Sequence, residues 1–238
     1  MRIGIVGLGL IGGSLAQALG DRHEIVACDP AGTGPFAAAA TPAGLLPADL
    51  VIVATPLDLV VPTLVALAPL AGDAVLLDVG SVKREVARYA ATAPAGVRIV
   101  GGHPMAGSTG SGLAAARADL FRDRPFLLVP TARSDDAAMA LTGEIAREVG
   151  AVPTVMSAEV HDRAVAMLSG VPLLIAQALA AAGADVADLA GPGFRDMTRL
   201  AATPMLLAAA MLAGNADEIR AALARFRAAL DAAERELG

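Results

Sequence analysis

The chain has no tryptophan, one tyrosine, five phenylalanines and a single cysteine among its 238 residues. So few aromatic rings leave no platforms for stacking single-stranded bases and few large anchors for gripping a protein partner. Positive charge is also in deficit, since 18 Lys and Arg face 24 Asp and Glu, a formal balance of −6. A surface of that sign attracts neither nucleic acid nor an anionic membrane. Cys28 has no second cysteine to pair with, which excludes an internal disulfide and suits a reducing cytoplasm. Its neighbours Ile25 and Val26 mark it as an inert core thiol. No uninterrupted apolar run reaches the roughly 20 residues of a membrane-crossing helix. The apolar stretch 3–19 is cut by glycines and followed by Asp21, so it does not read as a signal peptide.

Apolar residues are abundant, at 55% of the chain. They supply ample core for one large domain or two modest ones. In the first half, short β-branched runs alternate with helical stretches. Strands are expected at 2–6, 24–28, 50–54, 74–78, 98–101 and 126–129, and helices at 11–19, 57–70, 82–91 and 135–149. Strands that are apolar throughout and separated by helices predict a Rossmann-type, doubly wound and mainly parallel α/β sheet, covered on both faces. After about Val152–Met156 the pattern turns to Ala, Leu, Met, Glu and Arg, all strong helix formers. We therefore expect a dinucleotide-binding domain over 1–152 and a small all-helical domain over 153–238. Ala37–Ala40 reads only as an alanine-rich patch.

Between the first strand and the first helix lies Gly7-Leu8-Gly9-Leu10-Ile11-Gly12. Gly7 permits a tight turn, Gly9 lets backbone approach a pyrophosphate, and Gly12 lets helix and strand pack closely. The helix start, at Leu10 and Ile11, offers unpaired N–H groups to an anion. Such a loop is weak evidence by itself. Here it follows an apolar strand, and Asp29 ends the second strand roughly twenty positions after the loop. A carboxylate there accepts from the adenosine ribose hydroxyls and repels a 2′-phosphate. Pro30-Ala31-Gly32-Thr33 holds no cation, so NAD is favoured over NADP. The competing reading is that Asp29 only caps a turn before Pro30.

Two further motifs sit where strands should end, at Asp78-Val79-Gly80-Ser81-Val82-Lys83 and at Gly101-Gly102-His103-Pro104-Met105-Ala106-Gly107. Ligands of such sheets bind outside the carboxyl ends of the strands. His103 is one of three histidines. We expect it in a loop after an apolar strand, where an imidazole could take a proton from a substrate hydroxyl. A histidine merely satisfied by backbone groups is an equal reading of the local residues.

Taken together, GLGLIGGSLA (7–16), VATP (53–56), DVGSVK (78–83), GGHPMAG (101–107), ADLF (118–121) and GFRDMTRLA (193–201) resemble the prephenate/arogenate dehydrogenase family. The motifs run in the family's order over nearly the whole chain. The resemblance implies NAD-dependent oxidative decarboxylation of a cyclohexadienol: prephenate would give 4-hydroxyphenylpyruvate, and arogenate would give tyrosine. It implies that His103 receives the ring hydroxyl's proton and that Ser81 orients this histidine, the hydroxyl and the nicotinamide. Thr55 and Pro56 join the cofactor site. Arg199 would pair with a substrate carboxylate, with Arg195 as second choice. No metal is implied, and the helical domain would form a homodimer.

The chain also departs from the family's pattern. Where many relatives have Ser-His-Leu-Pro-His it has Ser169-Gly170-Val171-Pro172-Leu173. Thr109 stands where an acidic residue is common. His161, in Val160-His161-Asp162-Arg163, reads as structural within the helical domain. Two alternatives stay open: an imine or pyrroline-carboxylate reductase of the same plan, and a dinucleotide sensor without chemistry.

Overall fold

The computed structural model describes residues 1–108 and 110–237 and divides into two compact units, Met1–His161 and Asp162–Gly238. Unit 1 contains β1 (Arg2–Val6), α1 (Leu10–Leu19), β2 (Glu24–Cys28), β3 (Ala37–Ala38), β4 (Leu50–Val53), α2 (Leu57–Leu67) and β5 (Val75–Asp78). It continues with α3 (Arg84–Thr92), β6 (Arg98–Pro104), β7 (Pro125–Pro130), α4 (Asp136–Glu148) and β8 (Val152–Val155). The strands form one sheet of order β3-β2-β1-β4-β5-β6-β7-β8. All neighbours are parallel except β6 and β7.

Alternation along each strand sends side chains to two covered faces. Ile3, Ile5, Leu50, Ile52 and Leu77 pack with Leu15 and Leu19 of α1 and Ile145 of α4. Val51, Val53, Leu76 and Ile99 pack with Val60 and Leu64 of α2 and Val86 of α3. Every residue of β4 and β5 is buried. Each such Leu, Ile or Val contributes about 1.5–3 kcal/mol of burial free energy, which is what holds the central strands and their carboxyl ends in place.

Two strands lie outside the expected set. Ala37–Ala38 pairs with β2 at one edge, although alanine is a poor strand former. β8 pairs with β7 at the other edge and tolerates Pro153 because an edge strand needs fewer ladder donors. The chain then enters α5 (Ala158–Val165). Pairing of β8 with β7 carries unit 1 beyond the expected junction at 152, as far as His161.

Unit 2 is helical among its described residues. After one π turn, Ala166–Gly170, it comprises α6 (Val171–Ala182), α7 (Pro192–Thr198), α8 (Met205–Gly214) and α9 (Ala216–Glu234), with short 3-10 turns. Its small core is Ala166, Val171, Ile219 and Ala222, flanked by Leu174, Leu223 and Phe226. The helical run Ala158–Ala182 is long and apolar enough to cross a membrane by length and composition alone. Glu159, Asp162 and Arg163 crowd its start, which is why the sequence shows no uninterrupted apolar run there.

Candidate functional site

The glycine loop is shaped by its neighbours. Gly7 has φ +90°, and a Cβ there would lie 2.6 Å from the Ala54 carbonyl oxygen, so β4 forbids any other residue. A Cβ on Gly12 would lie 1.9 Å from the Gly7 carbonyl oxygen, while one on Gly9 would meet nothing within 4 Å. The loop is therefore sealed on its inner side and open on its outer side. Helix α1 has Gly9 as its N-cap, no side-chain cap and no acid in its first turn. Contrast α4, whose first turn is capped by the Asp135 carboxylate accepting from the Ala138 amide. The first amides of α1, including those of Leu10 and Ile11, are thus left to an external acceptor.

Asp29, just past β2, is tied to this loop. Its Oδ2 accepts from the Leu8 amide at 2.6 Å and its Oδ1 from the Ala31 amide at 2.7 Å. The second bond is the turn cap that the sequence allowed. The first fixes the glycine loop against the end of β2. Each carboxylate oxygen accepts one amide here and has capacity for a further donor. On the other flank, Thr55 follows β4, and its buried Oγ1 has no hydrogen-bond partner. Pro56 is the N-cap of α2. Unpaired helix amides, an orphaned hydroxyl and an acceptor at the end of β2 are the donor set and shape a dinucleotide requires.

At the carboxyl end of β5, Asp78 and Lys83 form an ion pair, and both are fully buried. The Gly80 amide donates to Asp78 Oδ1 at 2.9 Å. Burial pushes the Asp78 carboxyl above its usual range, against the opposing pull of Lys83 and of the Gly80 and Gly102 amides. Lys83 is the only lysine in the chain. Gly101 lets the lysine stem pass, since a Cβ there would lie 3.0 Å from Lys83 Cδ. Ser81 is half-buried in the turn between the paired residues.

His103 lies in β6, not in a loop. The antiparallel ladder to β7 pairs Gly102 with Leu128, His103 with Leu127 and Pro104 with Phe126, and it extends the strand beyond the expected Gly101. Backbone register therefore sets its position. Gly102 makes this possible, because a Cβ there would lie 2.7 Å from the Asp78 carbonyl oxygen. Since β6 runs parallel to β5 with Gly101 opposite Asp78, His103 and Ser81 share the carboxyl edge of the sheet. Burial, then the neighbouring His161 and Lys83, hold the His103 imidazole well below its ordinary pKa of 6.5.

His161, on α5, corrects its structural reading. It is fully buried, and its Nε2 lies 2.9 Å from His103 Nδ1. It ends unit 1 and meets His103 at the carboxyl edge of the sheet. The local sequence reads His161 as structural and gives Lys83 no role of its own. The available signal was rarity: three histidines and one lysine in a chain otherwise served by arginine.

In unit 2, Arg195 is on α7 and Arg199 opens the following 3-10 turn; both are exposed. Gly170 is held by packing: a Cβ there would lie 2.6 Å from Ile219 Cγ1. Leu173 is buried. Thr109 lies outside the described residues.

Two family models match the chain. One describes the nucleotide-binding domain of prephenate dehydrogenase and matches residues 18–155; the other describes its dimerization domain and matches residues 157–238. The chain is 34% identical over 224 residues to a prephenate dehydrogenase of Bacillus subtilis, covering 83% of this chain and 60% of that protein. It thus spans about three-fifths of that relative's length. Among solved structures, Synechocystis arogenate dehydrogenase has a TM-score of 0.82 and 32% identity, covering 97% of this chain and 90% of that one. A prephenate dehydrogenase from A. aeolicus, in complex with hydroxyphenyl propionate and NAD+, has a TM-score of 0.90 and 26% identity, covering 100% and 91%.

Proposed function

The chain belongs to the prephenate dehydrogenase family, and we propose that it catalyses the NAD-dependent oxidative decarboxylation of prephenate to 4-hydroxyphenylpyruvate, a step toward tyrosine. The observation that carries this reading is His103, an imidazole held neutral at the carboxyl edge of a sheet whose glycine loop is open for a dinucleotide. A neutral imidazole accepts a proton; an imidazolium does not.

In this reading Gly7, Gly9, Gly12 and the Leu10 and Ile11 amides hold the diphosphate. Asp29 accepts from the adenosine ribose, and Thr55, Pro56 and Ser81 line the remainder of the cofactor site. The bound nicotinamide supplies the hydride acceptor. As hydride leaves the ring carbon bearing the hydroxyl, His103 takes the hydroxyl proton, aided by Ser81. The ring carboxylate departs as CO2, and its bonding pair enters the ring and completes aromaticity. The ring oxygen then recovers the proton, so His103 ends as it began. Aromatisation drives the loss of CO2, which leaves alignment and proton transfer to the protein. Arg199, with Arg195 second, is assigned to a substrate carboxylate, which a guanidinium can hold through two parallel hydrogen bonds. The lone thiol of Cys28 supports a reducing, cytoplasmic setting.

Arogenate is the second reading, favoured by the likeness to Synechocystis arogenate dehydrogenase. Incubation with prephenate or arogenate and either cofactor, followed by absorbance of the reduced nicotinamide, tests both. Turnover is expected with NAD and is expected to be poor with NADP, because Asp29 would repel a 2′-phosphate. Comparable turnover with both cofactors would refute the assignment of Asp29. Absence of turnover on both substrates would sink the reaction and bring the reductase or sensor reading forward.

Assembly follows from unit 2, which leaves Leu189, Met205 and Leu206 at least 80% exposed. Met211 and Leu212 on α8 are only half-buried. Apolar helix surface of this extent needs a partner. A homodimer formed through residues after 152 is expected, and sedimentation at micromolar concentration should find two copies. A strictly monomeric species would count against it.

A further inference from the structure

We propose that His161 is a positioning residue: it accepts the Nδ1 proton of His103 and so holds His103 in the tautomer whose Nε2 lone pair is free for the substrate hydroxyl. This rests on the reading of His103 as proton acceptor. The facing nitrogens lie 2.9 Å apart, and one proton between them can be arranged in two ways. If His161 donated, His103 would carry its proton on Nε2 and could accept nothing there. If His103 donates, Nε2 is a base. His161 is fully buried and meets His103 at Nδ1, whereas His103 as a residue keeps some exposure. The accessible edge is therefore the opposite one, carrying Nε2.

The choice of an imidazole partner has a consequence. When His103 takes a proton on Nε2, its Nδ1–H keeps the bond to His161, and that bond becomes charge-assisted. A carboxylate in the same place would do this too, but it would also raise the affinity of His103 for protons. The groups facing His103 are His161 from α5 and Lys83 from the turn after β5, with Asp78 already paired to Lys83. His103 thus keeps an acceptor for its Nδ1 proton while Nε2 takes the proton from the substrate hydroxyl.

Only three histidines are present, so 15N-histidine labelling and NMR read each tautomer directly, with no need for activity. His103 is expected to be protonated on Nδ1 and bare on Nε2 in the unmodified protein. The opposite tautomer overturns the proposal. His161→Gln retains an acceptor near the same place and should keep the tautomer and turnover within about tenfold. His161→Leu removes the acceptor, should lose the tautomer preference, and should lower kcat by about ten- to a hundredfold with little change in KM. A leucine variant that keeps both the tautomer and kcat also overturns the proposal. A tautomer that obeys His161 while His103→Asn leaves turnover intact supports the positioning and refutes the proton-acceptor reading instead.

Discussion

Asparagine at position 103 should leave NAD affinity intact and lower turnover by about two to four orders of magnitude. The side chain sits in a ladder that fixes its backbone through Leu127 and Leu128 of β7, so the substitution need not move the strand. The glycine loop that would hold the diphosphate follows β1, with β4 and β5 between it and His103. An amide keeps some hydrogen bonding but cannot take a proton at neutral pH, so only the proton-transfer step is removed. The pH profile of kcat/KM supplies an independent sign. His103 works when deprotonated, and its pKa is pushed below the ordinary 6.5 by burial, His161 and Lys83. Activity should therefore hold as pH falls through the ordinary imidazole range and drop only at lower pH, where the folded protein's His103 is finally protonated. An acid limb at or above 6.5, or near-normal turnover of the asparagine variant on both substrates, would show that another group takes the proton.

What could be read from sequence was what local chemistry dictates. LVIVA at 50–54 is apolar on both faces, and only a strand covered on both sides buries it, as β4 does. The glycine loop was readable because its requirement is steric and falls within a few residues. Non-local pairing was what escaped. His103 looked like a loop residue between glycine and proline, but β7, more than twenty residues further along, extends the strand through it. The strand at Val152–Val155 exists because β7 supplies an edge to join. Lys83, followed by Arg84, reads as solvated surface; only the carboxylate at the end of a buried strand explains its burial. His161 lies in a charged stretch that looks like an exposed helix face, and its partner is 58 residues away. Gly170 records a close approach by Ile219 of α9, which no local pattern announces. The roles given to Arg195 and Arg199 rest on resemblance, since their own residues describe an exposed helix end.

Methionine at position 83 should destabilise the protein by about 3–5 kcal/mol, the usual cost of leaving one member of a buried ion pair without its partner. The chain length and shape of lysine are nearly preserved, so the loss is electrostatic and not a cavity. Asp78 stays fully buried beneath the turn, and the two amides that oppose its raised pKa are weak substitutes for an ammonium. The deficit has a pH sign. Burial already raises the Asp78 pKa, and removal of Lys83 raises it further, so the folded variant favours the protonated carboxyl. At neutral pH that proton must be taken up against the solution, which destabilises the fold; as pH falls toward the usual carboxylate range the penalty shrinks. Urea midpoints at neutral and mildly acidic pH should therefore differ most between variant and parent at the higher pH. Adding Asp78→Leu should restore much of the loss, because an apolar pair replaces a buried ion pair at little net cost. Activity carries a second signature. Lys83 helps hold the His103 pKa down, so its loss should move the acid limb of kcat/KM upward. A variant as stable as the parent at neutral pH, with an unmoved acid limb, would mean that the buried pair neither supports the turn after β5 nor acts on His103.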